Sequence, residues 1–456
     1  MRNRGKYLGS NLTVNWRGDN TTLKNQFDNN LLLSYIGDLN PAKWIDLQFG
    51  IYFKNTRTKS HASDIYFDYE QAGSFANYLS MRDPDGSPAR LQAAVYLDEP
   101  SLSNPALGLK DEGYVPYDEL NKNYSTSRST YTRSYVHVNI RPTAGLKLSA
   151  MGQYEDISER SEKELQSDSY AMRHLYNLYT SGGKHLLPDG GKLTTASGEA
   201  NYYTLRMQAN YQKKFNERHD TDILLGYEYR QTFSKSQTGT LFGYDPKTLT
   251  NSTGRINFDD LFNASQSDLG SYRLYQADIF QSSEAGRNTW VKHRYMSYYA
   301  TMHYTYDRRY AVSGSWRIDE CDLFGADKKF RRRPLWSAGI SWNMQNESFM
   351  RGIQWINILK PRFSYGVTGN INAGYSSYLT ASIGLNPLSG LKYANVTTPP
   401  NDQLRWEKSK TTNIGIDFSM FNYRLNGSID YYNKQGQDVL SYIDVDPSTG
   451  FSQMLN

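Results

Sequence analysis

Between residues 413 and 434 the chain reads NIGIDFSMFNYRLNGSIDYYNK, with apolar and polar side chains in alternation. Ile414, Ile416 and Phe418 fall on one face, and Asn413, Gly415, Asp417 and Ser419 on the other. After Met420-Phe421-Asn422 the alternation resumes, with Tyr423, Leu425, Gly427, Ile429 and Tyr431 set against Arg424, Asn426, Ser428, Asp430 and Tyr432. Side chains alternate across a strand with period two, so the segment predicts a β-hairpin with one apolar and one polar face. The pattern recurs in WIDLQFGIYFKN, in YVHVNIRPTAGLKLSAMGQY around Arg141–Gly145, and in LRMQANYQKKFNERHDTDILLGYEYR. It recurs again in MSYYATMHYTYDRRYAVSGSWRID, WSAGISW and LKPRFSYGV. About thirteen such strands are expected, most of roughly 10 to 13 residues, which matches a tilted bilayer crossing and exceeds the usual globular strand.

The connections sort by length. Short turns are expected near 38–43, 141–145, 213–220, 307–309, 344–356 and 420–422, and long ones near 18–26, 55–131, 157–200, 234–293, 320–332 and 369–404. They alternate, short then long. A soluble sandwich has no reason to segregate loop length by parity, whereas an outer-membrane barrel carries tight turns on one rim and large loops on the other. Within the long connections, SERSEKELQSDSYAMRHLYNLYTSGG from Ser158 reads as a helical insert stopped by Gly182 and Gly183. Pro84-Asp85-Gly86 and Pro188-Asp189-Gly190 read as turns. No linker or shift in composition divides residues 1–456 into domains.

Composition changes this picture little. Hydrophobic residues make up 38% of the chain and mean hydropathy is −0.72, and no apolar run is long enough for a membrane helix. A barrel is not excluded, because only every second residue of its strands meets lipid. Tyrosines number 38 against 18 phenylalanines, a bias that suits an interface where the ring is buried and the hydroxyl stays wet. A net charge of +5 demands no nucleic-acid partner, and the single Cys321 excludes a disulfide framework. MRNRGKYLGSNLTVNW contains no apolar signal-peptide core.

Motifs of chemistry are weak throughout. Asp83, Asp85 and Gly86 hint at a calcium loop but lack its closing glutamate, so a plain turn is expected. Gly182-Gly183-Lys184 and Gly190-Gly191-Lys192 lack phosphate-loop spacing, and no histidine pair, His137 and His303 included, has zinc-ligand spacing. No catalytic residue, cofactor or metal is assigned. The basic run DKKFRRRPLW, residues 327 to 336, is read as a solvated or lipid-phosphate-contacting rim. Arg317, Arg362, Asp417, Arg424 and Asp430 are expected to face an enclosed interior and to pair with one another.

Three blocks go further: GSWRIDECDLFGADKKFRRRPLWSAGISWNMQNESFM, INILKPRFSYGVTGNI and LRWEKSKTTNIGIDFSMFNYRLNGSIDYYNKQGQDVL. With NPAKWIDLQFG and LLGYEYR they give the chain a resemblance, over most of its length, to the β-barrel part of SusC/RagA-type TonB-dependent outer-membrane transporters of the Bacteroides group. One departure is Asp319-Glu320-Cys321-Asp322-Leu323-Phe324-Gly325, where the family is expected to carry a serine-rich Asp-Gly version. The resemblance implies an all-β, antiparallel up-and-down transmembrane barrel, here incomplete at about 13–14 of roughly 22 strands. A plug ahead of the barrel and the C-terminal strands are then expected to be absent from 1–456. It further implies import of a bulky nutrient, an oligosaccharide or a peptide, with a SusD-like surface lipoprotein, the TonB complex and outer-membrane lipid as partners. Loop aromatics that could stack on sugar rings are Tyr66, Tyr69, Phe242, Tyr244, Tyr375 and Tyr378. The alternatives are a soluble or surface β-rich glycan-binding protein, whose apolar faces would pack on each other, and an outer-membrane hydrolase, whose carboxylate pair would leave no local signature.

Overall fold

The computed structural model of the protein describes residues 2–5, 7–21, 25–61, 80, 82–92, 108–111, 113–119, 122–181, 184–257, 260, 287–322, 332–370, 377–385, 391–401, 404 and 407–455. Fourteen strands form one antiparallel sheet in which every strand pairs with its neighbour in sequence. They are β1 Arg2–Arg4, β2 Leu8–Asn20, β3 Phe27–Ala42, β4 Ile45–His61, β5 Tyr124–Thr143, β6 Leu146–Leu165 and β7 Gly191–Phe215. β8 His219–Tyr244, β9 Arg287–Tyr306, β10 Tyr310–Cys321, β11 Arg333–Trp342, β12 Ile356–Asn370, β13 Glu407–Met420 and β14 Leu425–Gln437 complete it. Among the described residues β1 and β14 are the two edges, so the sheet is open.

Register carries the alternation of single strands across the whole wall. One row of directly opposed residues runs Ile45, Ile140, Leu148, Ala209, Leu225, Ala300, Trp316, Trp336 and Val367, apolar on every strand from β4 to β12. Another runs Val312, Ile340, Phe363, Ile414 and Tyr431. Among the described residues no second sheet covers this face: Leu225 is 55% exposed and Ile340 58%. Its apolar runs, Leu146 to Tyr154, Tyr203 to Tyr211, Tyr310 to Ile318 and Pro334 to Trp342, each cover about nine residues, the length that crosses a hydrocarbon layer at a tilt. Burial of one sheet against another, which a sandwich requires, is therefore not how this face is satisfied.

Connection lengths alternate as expected with one exception. The connections 43–44, 144–145, 216–218, 307–309 and 421–424 are tight, and those at 21–26, 62–123, 166–190, 245–286, 322–332 and 371–406 are longer; 343–355, expected to be short, is longer than both 21–26 and 322–332. In an antiparallel meander successive connections lie at opposite ends, so one rim is trimmed and the other is built up.

Two expectations are corrected. Ser158–Leu165 is not helical: it continues β6, paired with Tyr124–Thr130 on one side and Lys192–Glu199 on the other. Those two ladders satisfy the backbone on both edges and override the helix preference of a Glu- and Lys-rich segment. The helix that does form, α1, spans Tyr170–Leu178, with the Ser169 hydroxyl accepting from the Met172 N–H. Its expected stop, Gly182-Gly183, lies outside the described residues. Strands are consequently longer than expected, 20 residues in β5 and β6, 25 in β7 and 26 in β8, because the wall continues past the apolar band as a polar ladder. The second correction concerns the last hairpin. Met420 pairs with Leu425, so the turn is Phe421–Arg424, with positive φ at Phe421, Asn422 and Tyr423. Arg424 belongs to this turn, not to a strand face.

Candidate functional site: the polar wall and the built-up rim

The polar face of the sheet is stitched by side chains that reach across strands. Arg362 on β12 is the hub of one cluster: its Nε donates to Asp417 Oδ1 on β13 at 3.2 Å and its Nη2 to Asp430 Oδ2 on β14 at 2.7 Å. To reach Asp430 the guanidinium lies over Gly415, where a Cβ would sit 2.8 Å from Arg362 Cζ and 2.6 Å from Asp430 Oδ1. Only hydrogen fits there while the guanidinium and the Asp430 carboxylate keep these positions. A second cluster centres on Arg317, which donates to Asp319 at 2.7 Å and to the Ser297 hydroxyl at 3.0 Å, with its guanidinium 5.5 Å from the Tyr299 ring centroid. The Tyr299 ring covers Gly226 on the neighbouring strand, and its hydroxyl accepts from Gln208 at 2.9 Å. Arg206 and Glu228 pair at 2.7 Å, and Tyr131 donates to Glu155 at 2.7 Å. Thus Arg317, Arg362, Asp417 and Asp430 share the polar face and Arg424 does not. The pairs are partly exposed, with the Arg362 side chain 33% and the Arg317 side chain 47% accessible, so each contributes stability on the order of 0–1 kcal/mol and mainly sets side-chain position.

The built-up rim contains a small core of its own. Tyr176 and Tyr179 from the α1 region, Leu187, Phe242 near the end of β8 and Ile256 pack together, with Leu175 and Leu186 against them. Polar side chains tie in the preceding connection. Asn177 accepts from the Lys110 N–H at 2.8 Å and donates to the Lys110 carbonyl at 2.7 Å; Asn123 accepts from the Gln166 N–H at 3.1 Å; Arg173 donates to the Gly113 carbonyl at 2.8 Å. Glu119 is buried and accepts from the Tyr170 N–H at 2.9 Å. Burial pushes its carboxyl above the ordinary range, opposed by that hydrogen bond and by Lys122 and Arg173. Lys110 also pairs with Asp189, and this contact holds the Asp189 carboxyl below its ordinary value. Sequence reading missed this unit, since its contacts join residues 43 to 67 positions apart.

The loop aromatics separate into three groups. Phe242 is 2% exposed, enclosed in the rim core, and offers no open face to a ligand. Tyr244 is half-buried beside the Asp245–Thr250 turn, and Tyr378 is exposed. Tyr66, Tyr69 and Tyr375 lie outside the described residues. At the calcium-like stretch, Asp85 Oδ1 accepts from both the N–H and the hydroxyl of Ser87, an Asx turn that uses the carboxylate locally. Among the described residues no group of three or more His, Cys, Asp or Glu side chains comes together. Of the basic run, residues 327–331 lie outside the described residues, and Arg332 pairs with the buried Glu320 at 2.6 Å.

At the trimmed rim Glu347 accepts from the Tyr310 hydroxyl at 2.7 Å and the Trp342 indole at 3.1 Å, with Arg309 at 3.3 Å. The Tyr310 and Trp342 hydrogen bonds hold its carboxyl below the ordinary range. Tyr310 stacks on Trp342, and Trp355 on Phe421, giving this rim a row of aromatic rings.

Comparison with known proteins places this arrangement. A family model described as TonB dependent receptor-like, beta-barrel matches residues 164–455. TonB-dependent receptor P39 of Formosa agariphila is 28% identical over 271 residues, 58% of this chain and 23% of that protein. TonB-dependent receptor SusC of Bacteroides thetaiotaomicron is 30% identical over 182 residues, 38% of this chain and 17% of that one. Among solved structures, the RagAB peptide importer in its closed-closed state superimposes with a TM-score of 0.73 at 16% identity, over 100% of this chain and 45% of that chain. The matched region thus spans less than a quarter of these curated relatives, and the structural likeness at this identity concerns the fold.

Proposed function

The chain belongs to the TonB dependent receptor-like β-barrel family, a family of the outer membrane, and from that premise we propose that it forms part of the wall of an energised importer for a bulky nutrient. An oligosaccharide is the favoured cargo and a peptide the second. The observation that carries this reading is the separation of faces: an uncovered apolar band about nine residues tall on one side and cross-linked polar side chains on the other. Lipid takes the first face and an aqueous interior the second. The wall's part is mechanical. Its ion pairs hold the lining rigid while a plug driven through the TonB complex moves inside, and a SusD-like lipoprotein closes over the built-up rim. No bond of the cargo is made or broken, and the rim aromatics Tyr378, which is exposed, and Tyr244, which is half-buried, are proposed to stack on it.

The test is uptake by cells that carry or lack the gene, with labelled oligosaccharides and peptides as separate pools and with TonB present or deleted. Accumulation of one pool that needs both the gene and TonB supports the reading. Accumulation indifferent to TonB, or unchanged on deletion of the gene, ends it.

A further inference from the structure

The uncovered face of the wall does not stop being informative where its apolar residues end. Beyond Phe53 on β4 the same face continues with Asn55, Arg57 and Lys59. Arg57 lies directly opposite Arg128 on β5, and Arg128 directly opposite Arg160 on β6, so three guanidinium side chains stand side by side on adjacent strands. All three are exposed. Like charges directly opposite one another in a sheet are destabilising, and the cost falls when an anion sits between them. Protein carboxylates do not fill that role for two of the three. Arg160 donates to Glu162 at 2.9 Å, but neither Arg57 nor Arg128 has an ion-pair partner among the described residues. The flanking residues on this face are Asn29 and Ser197 to the sides, and Asn55, Thr130 and Ser158 below. Above are Lys59, Thr126 and Glu162, with Lys59 adding a further cation held 3.7 Å from the Tyr124 ring centroid. Of the other acids near the row on this face, Asp156 and Glu199 lie toward the apolar band and Glu164 lies above Glu162, opposite Tyr124.

Height identifies what faces this row. Arg57 lies four residues past Phe53, about 13 Å along the strand and roughly 9 Å in height at a tilt near 45°. That is the depth of headgroups, on the side of the built-up rim. The geometry points to Arg57, Arg128 and Arg160 as a binding site for the phosphate groups of an anionic outer-leaflet lipid, each phosphate bridging neighbouring guanidinium groups. This inference rests on the membrane orientation argued above and adds a specific lipid contact to it.

The experiment titrates the protein, purified from outer membranes in neutral detergent, with a phosphorylated outer-leaflet glycolipid, with the same lipid after enzymatic dephosphorylation, and with inorganic phosphate alone. Wild type is expected to prefer the phosphorylated lipid and to lose it as salt rises. The double substitution Arg57→Gln, Arg128→Gln is expected to weaken that binding roughly thirtyfold, two cations near an anionic surface being lost. The pair Lys213→Gln, Lys214→Gln at the trimmed rim serves as the control and should leave it unchanged. Equal binding by wild type and the double variant, or indifference of wild type to dephosphorylation, overturns the proposal. So does inorganic phosphate competing as effectively as the lipid, since that would make this a soluble-anion site. If the double variant does not insert, the wild-type comparison of lipids and salt still decides. A protein that remains soluble without detergent would overturn the membrane reading itself, a result distinct from an inserted protein that ignores lipid phosphate.

Discussion

Single residues show where the wall has no slack. At Gly415 the Arg362 side chain crosses within contact of the backbone on its way to Asp430. Gly415→Ala should therefore destabilise the folded protein by about 1 kcal/mol, the low end of overpacking costs, because the atoms in the way are the movable ends of two side chains. Asp430→Ala in the same chain should recover part of the loss, by removing the nearest carboxylate oxygen and freeing the guanidinium to move; urea unfolding in detergent would measure both. Additive losses would show that this ion pair is not the obstacle. Glu347 gives a prediction in pH. Its carboxyl is held low by Tyr310 and Trp342, so the unfolded chain binds the proton more readily than the folded one. The stability it contributes is present above the ordinary carboxylate value and lost as pH falls through the lowered folded one. Glu347→Gln should flatten that acid limb of a melting-temperature profile and leave the neutral region's slope unchanged. The pairing of Arg362 with both aspartates follows from alternation on neighbouring strands, whereas Arg424 is displaced because one extra residue in the turn cannot be read from the pattern.

Elements divide by which solvent they meet. On the apolar face, Leu225→Arg or Ile340→Arg should cost about 2–4 kcal/mol near mid-bilayer, while Ser315→Arg on the polar face should be tolerated. Heat-modifiable gel mobility of the membrane-inserted fraction distinguishes them, and equal tolerance on both faces would contradict the assignment of lipid to one. The built-up rim behaves as a soluble miniature. Asn177→Ala removes both bonds to Lys110 and should weaken that unit by about 1–3 kcal/mol, read as faster hydrogen exchange at the Lys110 amide while the strands stay protected. β6 illustrates why sequence misleads here. Its upper half, SERSEKEL, has helical composition, but β5 and β7 offer it hydrogen bonds along both edges, and a long-range ladder outweighs local preference.

For the molecule as a whole, alternation along the chain determined more than composition did. Period two, alternating runs of roughly 10 to 13 residues and the order of short and long connections were enough to specify a membrane-spanning antiparallel wall with one trimmed and one built-up rim. These features are legible because each is local: a strand's two faces and a turn's length are written in consecutive residues. The tertiary structure alone decided the rest. It carried β6 to β8 beyond the apolar band, enclosed Phe242 in a core with Tyr176 and Ile256, buried Glu119 against the start of α1, and aligned Arg57, Arg128 and Arg160 in one row. Each of these depends on register between strands or on contact between segments far apart in sequence. The free energy that selects such contacts belongs to the neighbouring segments jointly, so no stretch of the chain expresses it by itself.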